Sequence, residues 1–287
     1  MRNLMLAVSA VSLFTGCAAV EPSASGQTAI AAPVEPAEPE VQKSLSGVWQ
    51  VLNTANDNVE AHDAQHAYQL REGPHGPVPA KNVLAMGAVG AIPPGPSVIE
   101  GRQTLPYLPG GEEKVAENVA DWANNDPEAK CYMPGVPRAT YMPHPFEIIQ
   151  NDEQMLIVYE YANTVRNIFL TDPGEAPVDS WMGQSYGYWD GDTFVIEVTG
   201  QNGSSWLDRS GNHYSAMAKV TERYTRIDND HIDYSATIED PETFSEPVTL
   251  NMTLYRLVGA DARIEDFNCV PFVEEKLHGH LRKEPLK

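Results

Sequence analysis

Gly183-Gln184-Ser185-Tyr186-Gly187 has the G-x-S-x-G spacing of a serine nucleophile held on a tight turn, and Asp208 and His213 follow it in the order that a Ser-Asp-His hydrolase uses. Such an elbow works only where a strand, a turn and a helix lift the serine above a parallel sheet. Here Tyr188-Trp189-Asp190-Gly191 leads into a hairpin instead, so a Gly-spaced strand packed against aromatics is the expectation. His62-Asp63-Ala64-Gln65-His66 would set two imidazoles on one face of a helix, as some metal sites do. A third ligand and a convincing helix are both missing, and a polar turn is expected. His278-Gly279-His280 reads as a solvated tail. With no metal, dinucleotide or P-loop signature, the expected chemistry uses no cofactor and no metal.

Proton transfer near neutral pH needs a group that titrates there, and histidine is the side chain whose ordinary pKa qualifies. His213 follows a loop that also carries Trp206 and Asp208, an aromatic wall and a carboxylate able to orient the ring. His144, fixed between Pro143 and Pro145, has no partner nearby in sequence. Glu160 and Glu222 lie in strand-like runs beside Tyr159, Tyr161 and Tyr224, and Arg138, Arg166 and Arg223 are embedded in apolar or aromatic runs. In a small barrel alternate residues face inward, where an unpaired charge is costly, so some of these charges should pair inside. The pairs would form either a structural ion network or a polar site at the barrel floor. The catalytic set expected is His213, Glu222 and Arg166, with Arg138, Tyr141, His144, Tyr159, Ser185, Trp206 and Asp208 around the ligand. Trp181, Trp189, Trp206, Tyr186, Tyr188 and Tyr141 cluster near turns, as they would at a cavity mouth for an apolar or aromatic ligand or in ordinary sheet packing.

Period-two runs bounded by turn residues supply the elements that must hold these groups. Strands are predicted over Phe146–Gln150, Met155–Tyr161, Val165–Thr171, Gln184–Trp189, Thr193–Thr199, Ala218–Arg226, His231–Ile238 and Val248–Val258. An earlier strand surrounds Trp49, in the Gly47-Val48-Trp49 pattern that lipocalin-like barrels use to plug one end. One helix is predicted between Gly111 and Asn125, with Val115, Val119 and Trp122 at helical spacing. Residues 55–110 are rich in Gly and Pro and should wrap the outside. Successive strands without intervening helices predict an all-β, mainly antiparallel fold: a lipocalin-like up-and-down β-barrel with an irregular N-terminal wrap and one short helix.

At the N-terminus, Arg2, an apolar run from Leu4 to Phe14 and then Thr15-Gly16-Cys17-Ala18 have the layout of a bacterial export signal ending in a lipidated cysteine. The expected organisation is a lipoprotein signal peptide over 1–17, a Pro/Ala/Glu-rich tether over 18–43 and one barrel domain over 44–287. Ala18 after the cysteine suggests the periplasmic face of the outer membrane, with the periplasm itself as the alternative. Cys131 and Cys269 remain, and an even pair in an oxidising compartment reads as a disulfide. The net charge of −21, from 40 acidic against 19 basic residues, repels nucleic acid. Expected partners are a small molecule and, through the anchor alone, a membrane.

The runs DPEAKCYMPGVPRATYMPHPFEIIQ, WMGQSYGYWDGDTFVIEVTG, SSWLDRSGNHYSAMAKVTERY and DPETF, followed by the Cys269 region, resemble a large family of exported, mostly uncharacterised bacterial proteins with a lipocalin-like barrel. The resemblance implies that Cys131 pairs with Cys269. The chain departs from that pattern at Gln184, where the family has histidine, which removes any role resting on that side chain. The functional expectation is a cofactor-free enzyme, a lyase, isomerase or hydrolase, acting by acid–base chemistry on a small molecule held in the barrel. Its alternative is a non-catalytic binder or carrier of a small apolar or aromatic ligand.

Overall fold

Alternation of buried and exposed residues is clearest in His231–Glu239, where Ile232, Tyr234, Ala236 and Ile238 face inward and their neighbours do not. The same pleat, interrupted by adjacent buried residues in β1 and β6, runs through β1 (Gly47–Val51), β2 (Phe146–Gln150), β3 (Met155–Tyr159), β4 (Val165–Phe169), β5 (Gln184–Asp190), β6 (Thr193–Thr199), β7 (Lys219–Arg226), β8 (His231–Glu239) and β9 (Val248–Arg256). A one-residue slip would turn each inner face outward, so burial fixes the register. The computed structural model describes residues 43–66, 70–71, 78–79, 91–92 and 94–278, which belong to one compact unit, Glu40–Lys287. Cys17 and tether residues 18–42 lie outside the described residues.

The nine strands form a closed barrel in the order β1-β9-β8-β7-β6-β5-β4-β3-β2, with β1 returning to pair with β2. Strand directions cannot alternate around a ring with an odd number of members, so the up-and-down pattern has to break once. It breaks between β4 and β5, which run parallel; the other neighbours are antiparallel. Residues 170–183 carry the chain back along the outside, as a parallel connection requires.

Turn chemistry sets the hairpins. Gly191, at φ +62°, reverses the chain between the paired Asp190 and Thr193. Asn151 accepts at its side-chain oxygen from the backbone N–H groups of Glu153 and Gln154, and Asp228 accepts from that of Asp230. Trp49 is fully buried, donates from Nε1 to the Leu45 carbonyl and lies under the Arg226 guanidinium, 5.0 Å from the ring centre, which closes the end of the barrel that carries these hairpins.

Over the opposite end lie residues 52–64, 94–145 and 200–218. Ile99 bridges Leu250 where β1 has already ended, so the wrap extends the barrel wall rather than resting loosely on it. The predicted helix appears as α1 (Gly111–Ala120) and a single turn α2 (Trp122–Asn125), but not on its apolar stripe. Val119 is exposed, and Asn118 is the buried residue of α1, donating to the Gly211 carbonyl at 2.9 Å. Further turns of helix form at α3 (Arg138–Tyr141) and α4 (Pro271–His278); the latter lies beyond the last predicted strand, where no helix was expected. A Cys131–Cys269 disulfide, with Cα atoms 5.3 Å apart, ties the segment before α4 to the short helical turn Glu128–Lys130.

Candidate binding site

Inside the barrel, β4 and β7 bring Arg166 and Glu222 together. Arg166 Nη2 donates to Glu222 Oε2 at 2.5 Å, its Nε donates to Ser185 Oγ at 2.8 Å, and its Nη1 donates to the Tyr159 hydroxyl at 3.4 Å. The other carboxylate oxygen of Glu222 accepts from Tyr234 at 2.8 Å, Tyr224 at 3.0 Å and Thr140 at 3.4 Å. Glu222 has no exposed surface and Arg166 almost none. Burial, followed by the Glu222 charge, pushes both Tyr224 and Tyr234 well above the ordinary phenol range, so their hydroxyls stay protonated as donors. For Arg166, burial lowers the pKa but the Glu222 carboxylate outweighs it, and the guanidinium stays charged. Each guanidinium nitrogen of Arg166 and both carboxylate oxygens of Glu222 thus have a partner inside the barrel, out of contact with solvent.

Arg138 belongs to a second cluster. It donates to Asn56 Oδ1 at 3.0 Å and to Glu128 at 2.7 Å, with Asp126 3.7 Å away, while Arg209 binds Glu128 and Asp57. Burial pushes Glu128 up, but the Arg209 and Arg138 guanidiniums overcome it and hold the carboxyl at about 2. Tyr141 donates to the Leu207 carbonyl at 2.7 Å and Trp206 is buried.

His213 joins neither cluster. Its ring is half-buried, stacks on Tyr107 with centroids 5.2 Å apart, and has a buried Nδ1 without a hydrogen-bond partner. Burial lowers its pKa. Asp208 does not orient it: its oxygens accept from the backbone N–H groups of Val59 and Ser210 at 2.9 Å, and from Asn212 through Nδ2 at 2.7 Å and the backbone at 3.3 Å. His144 has the partner that sequence proximity hides. Its Nδ1 lies 3.2 Å from Glu160 Oε1, and its ring packs against Phe267. Glu160 follows from the β2–β3 register: Phe146 faces Tyr159, so the next pair outward is Pro145 and Glu160, joined by a backbone hydrogen bond of 3.1 Å.

Burial raises Asp208 from 3.8 to about 6 despite its four donors. A carboxyl that holds its proton more tightly when folded stabilises the fold fully below its unfolded pKa, and loses that contribution as pH rises through the folded value. The stability of the wild type relative to Asp208→Asn should therefore fall by about 2 kcal/mol between about pH 4 and pH 7. Urea unfolding of both proteins across that range measures it, and a constant difference would refute the assignment. Titrations elsewhere are shared by both proteins and cancel.

The barrel wall opens beside Arg166. β4 and β5 share just two residue pairs, Ile168 with Ser185 and Phe169 with Tyr186, and diverge beyond them. Residues 180–183 approach this gap and are pinned to the loop after β6: the Ser180 N–H donates to the Gly200 carbonyl at 2.8 Å, and that of Asn202 to the Ser180 carbonyl at 2.9 Å. Gly183, at φ +64°, lies where any Cβ would come within 2.6 Å of the Thr199 carbonyl oxygen, so only glycine lets the segment close down. The result is a cleft of about 560 Å³ with Arg166 and Ser185 at its base. Met133, Val165, Phe169, Trp181 and Met182 form its apolar walls, and Asn167, Asp179, Gln184 and Asn202 its polar ones. Tyr132 braces the Trp181 indole from outside the lining, with ring centroids 4.9 Å apart. A second depression of about 540 Å³ lies near the hairpin end beside Trp189. There Lys43 crosses the Trp189 ring at 4.8 Å and donates to the Gly191 carbonyl, so part of that surface is already engaged.

Of the residues singled out from sequence, Arg166 and Ser185 line this cleft, with Tyr159 and Glu222 behind them. Arg138, Tyr141, Trp206 and Asp208 pack into the loops over one barrel end, and His144, just before β2, lies against Glu160 of the β3–β4 turn. Asn167, Asn202 and Met133 were not predicted, because the cleft exists only where parallel strands separate. Compared with protein-family models, curated proteins and solved structures, the chain matches none.

Proposed function

We propose that this protein is an exported, lipid-anchored binder of a small molecule, which it holds in the β4–β5 cleft without transforming it. The buried, internally paired Arg166 and Glu222 carry this reading. The acid–base group expected within the barrel is committed to internal partners, whereas polar side chains around the cleft still have hydrogen-bonding capacity. A ligand at a hundredfold its dissociation constant raises stability by about 2.7 kcal/mol. Thermal-shift screening of a small-molecule library should find stabilisers that lose their effect in Trp181→Ala. Hits that keep full effect in the variant would place the site elsewhere.

One observation favours the enzyme reading: His144 is oriented through Nδ1 by Glu160, and its Nε2 makes no hydrogen bond among the described residues. Turnover of a ligand bound beside His144 that disappears in His144→Gln, with binding retained, would replace the binder by an enzyme.

Export and anchoring rest on Arg2, the apolar run Leu4–Phe14 and Thr15-Gly16-Cys17, supported by the Cys131–Cys269 disulfide and by the motif resemblance to exported proteins. Cys17→Ala should move the protein from the membrane pellet to the soluble fraction. Pelleting that persists in this variant removes the anchor from the proposal.

A further inference from the structure

We infer that the ligand of the β4–β5 cleft is a sugar ring without acidic groups, free or at the end of a glycan. The inference rests on the cleft being a binding site, and it follows from which hydrogen-bonding groups there are unspent. The Asn167 and Asp179 side chains make no hydrogen bond or ion pair among the described residues, and both are exposed. Gln184 donates to the Gly174 carbonyl but keeps its side-chain oxygen, and Asn202 accepts from the Ser204 N–H but keeps its Nδ2 donors. The cleft thus presents amide donors, amide acceptors and a carboxylate acceptor side by side. Hydroxyl groups satisfy such a mixed set, because each can donate and accept.

Charge removes the acidic ligands. An anion would need a free cation, but the Arg166 charge is already taken by Glu222, Asp179 faces the cleft, and the chain carries −21 overall. A wholly apolar ligand would cover the amides and the carboxylate and strip them of their hydrogen bonds to water without replacing them. The remaining requirement is a flat apolar face, and Trp181, braced by Tyr132, supplies a rigid aromatic surface for the C–H face of a pyranose.

The test uses the full-length protein and isothermal titration with D-glucose, N-acetylglucosamine, maltotriose and chitotriose, with indole as the apolar aromatic probe. At least one saccharide should bind, Trp181→Ala should abolish that binding, and Asn167→Ala should weaken it about tenfold. Asn167 is exposed, so the second variant tests the idea even if Trp181→Ala folds poorly; circular dichroism monitors both. A trisaccharide that binds more tightly than its monomer identifies a glycan chain as the source, and equal affinity a free sugar. Indole binding that depends on Trp181, with no saccharide bound, overturns the ligand class and leaves the cleft as the site. If neither class binds, the cleft falls with the inference, and saccharide binding indifferent to both substitutions overturns it as well.

Discussion

Glu222→Ala is expected to cost about 3–5 kcal/mol of folding free energy, because it strands the Arg166 guanidinium inside the barrel without its counter-charge. Tyr224 and Tyr234 lose their acceptor in the same substitution, and buried donors without acceptors add to the loss. The size of the effect would not show that the ion pair itself is strongly stabilising. Two charges removed from water incur a desolvation cost that their attraction largely offsets, so the double variant Glu222→Leu with Arg166→Met should recover much of the deficit. Urea unfolding of Glu222→Leu, Arg166→Met and the double variant closes the cycle. A Glu222→Ala protein within about 1 kcal/mol of wild type would mean that solvent reaches the pair.

Removing the disulfide by Cys131→Ser with Cys269→Ser is the second large effect. The bond joins residues 138 apart in sequence, and the chain-entropy model assigns a loop of that length about 5 kcal/mol, acting mainly through the unfolded chain. The barrel hydrogen bonds lie elsewhere, so far-ultraviolet circular dichroism should keep its β signature while the unfolding midpoint drops. Free thiols at both positions in protein made in an oxidising compartment would reject the link outright.

The strands were legible because most carry an alternating pleat and several are bounded by a residue with a definite turn chemistry, as at Asn151, Gly191 and Asp228. Pairing of Arg166 with Glu222 was legible only as a class: alternation says that both face inward, but which charges meet depends on barrel curvature. The parallel β4–β5 contact was not legible. Pro173, Gly174 and Pro177 mark residues 170–183 as a connection, yet nothing in their order states on which side the chain returns. The cleft depends on that contact and was hidden with it. His213 misled for a different reason. Closeness in sequence to Asp208 suggested a dyad, but backbone N–H groups of the same loop and the wrap reach the carboxylate instead. Helix α1 shows the limit of apolar spacing on a surface, since one amide fixes it where the valine stripe does not.

Barrel closure also sets an order of assembly. Trp49 of β1 pairs on one side with Phe146 and on the other with Arg256, so the first strand to be synthesised has its second neighbour in the last. Contacts this distant along the chain come at a large loop-closure cost and slow folding. Until β9 is complete, β1 can hold at most one edge, and a chain stopped before β9 would expose the edges of β1 and β8 to pairing with other molecules. Ribosome-stalled chains ending before Val248 should therefore aggregate, whereas chains extending past Arg256 should resist proteolysis at β1.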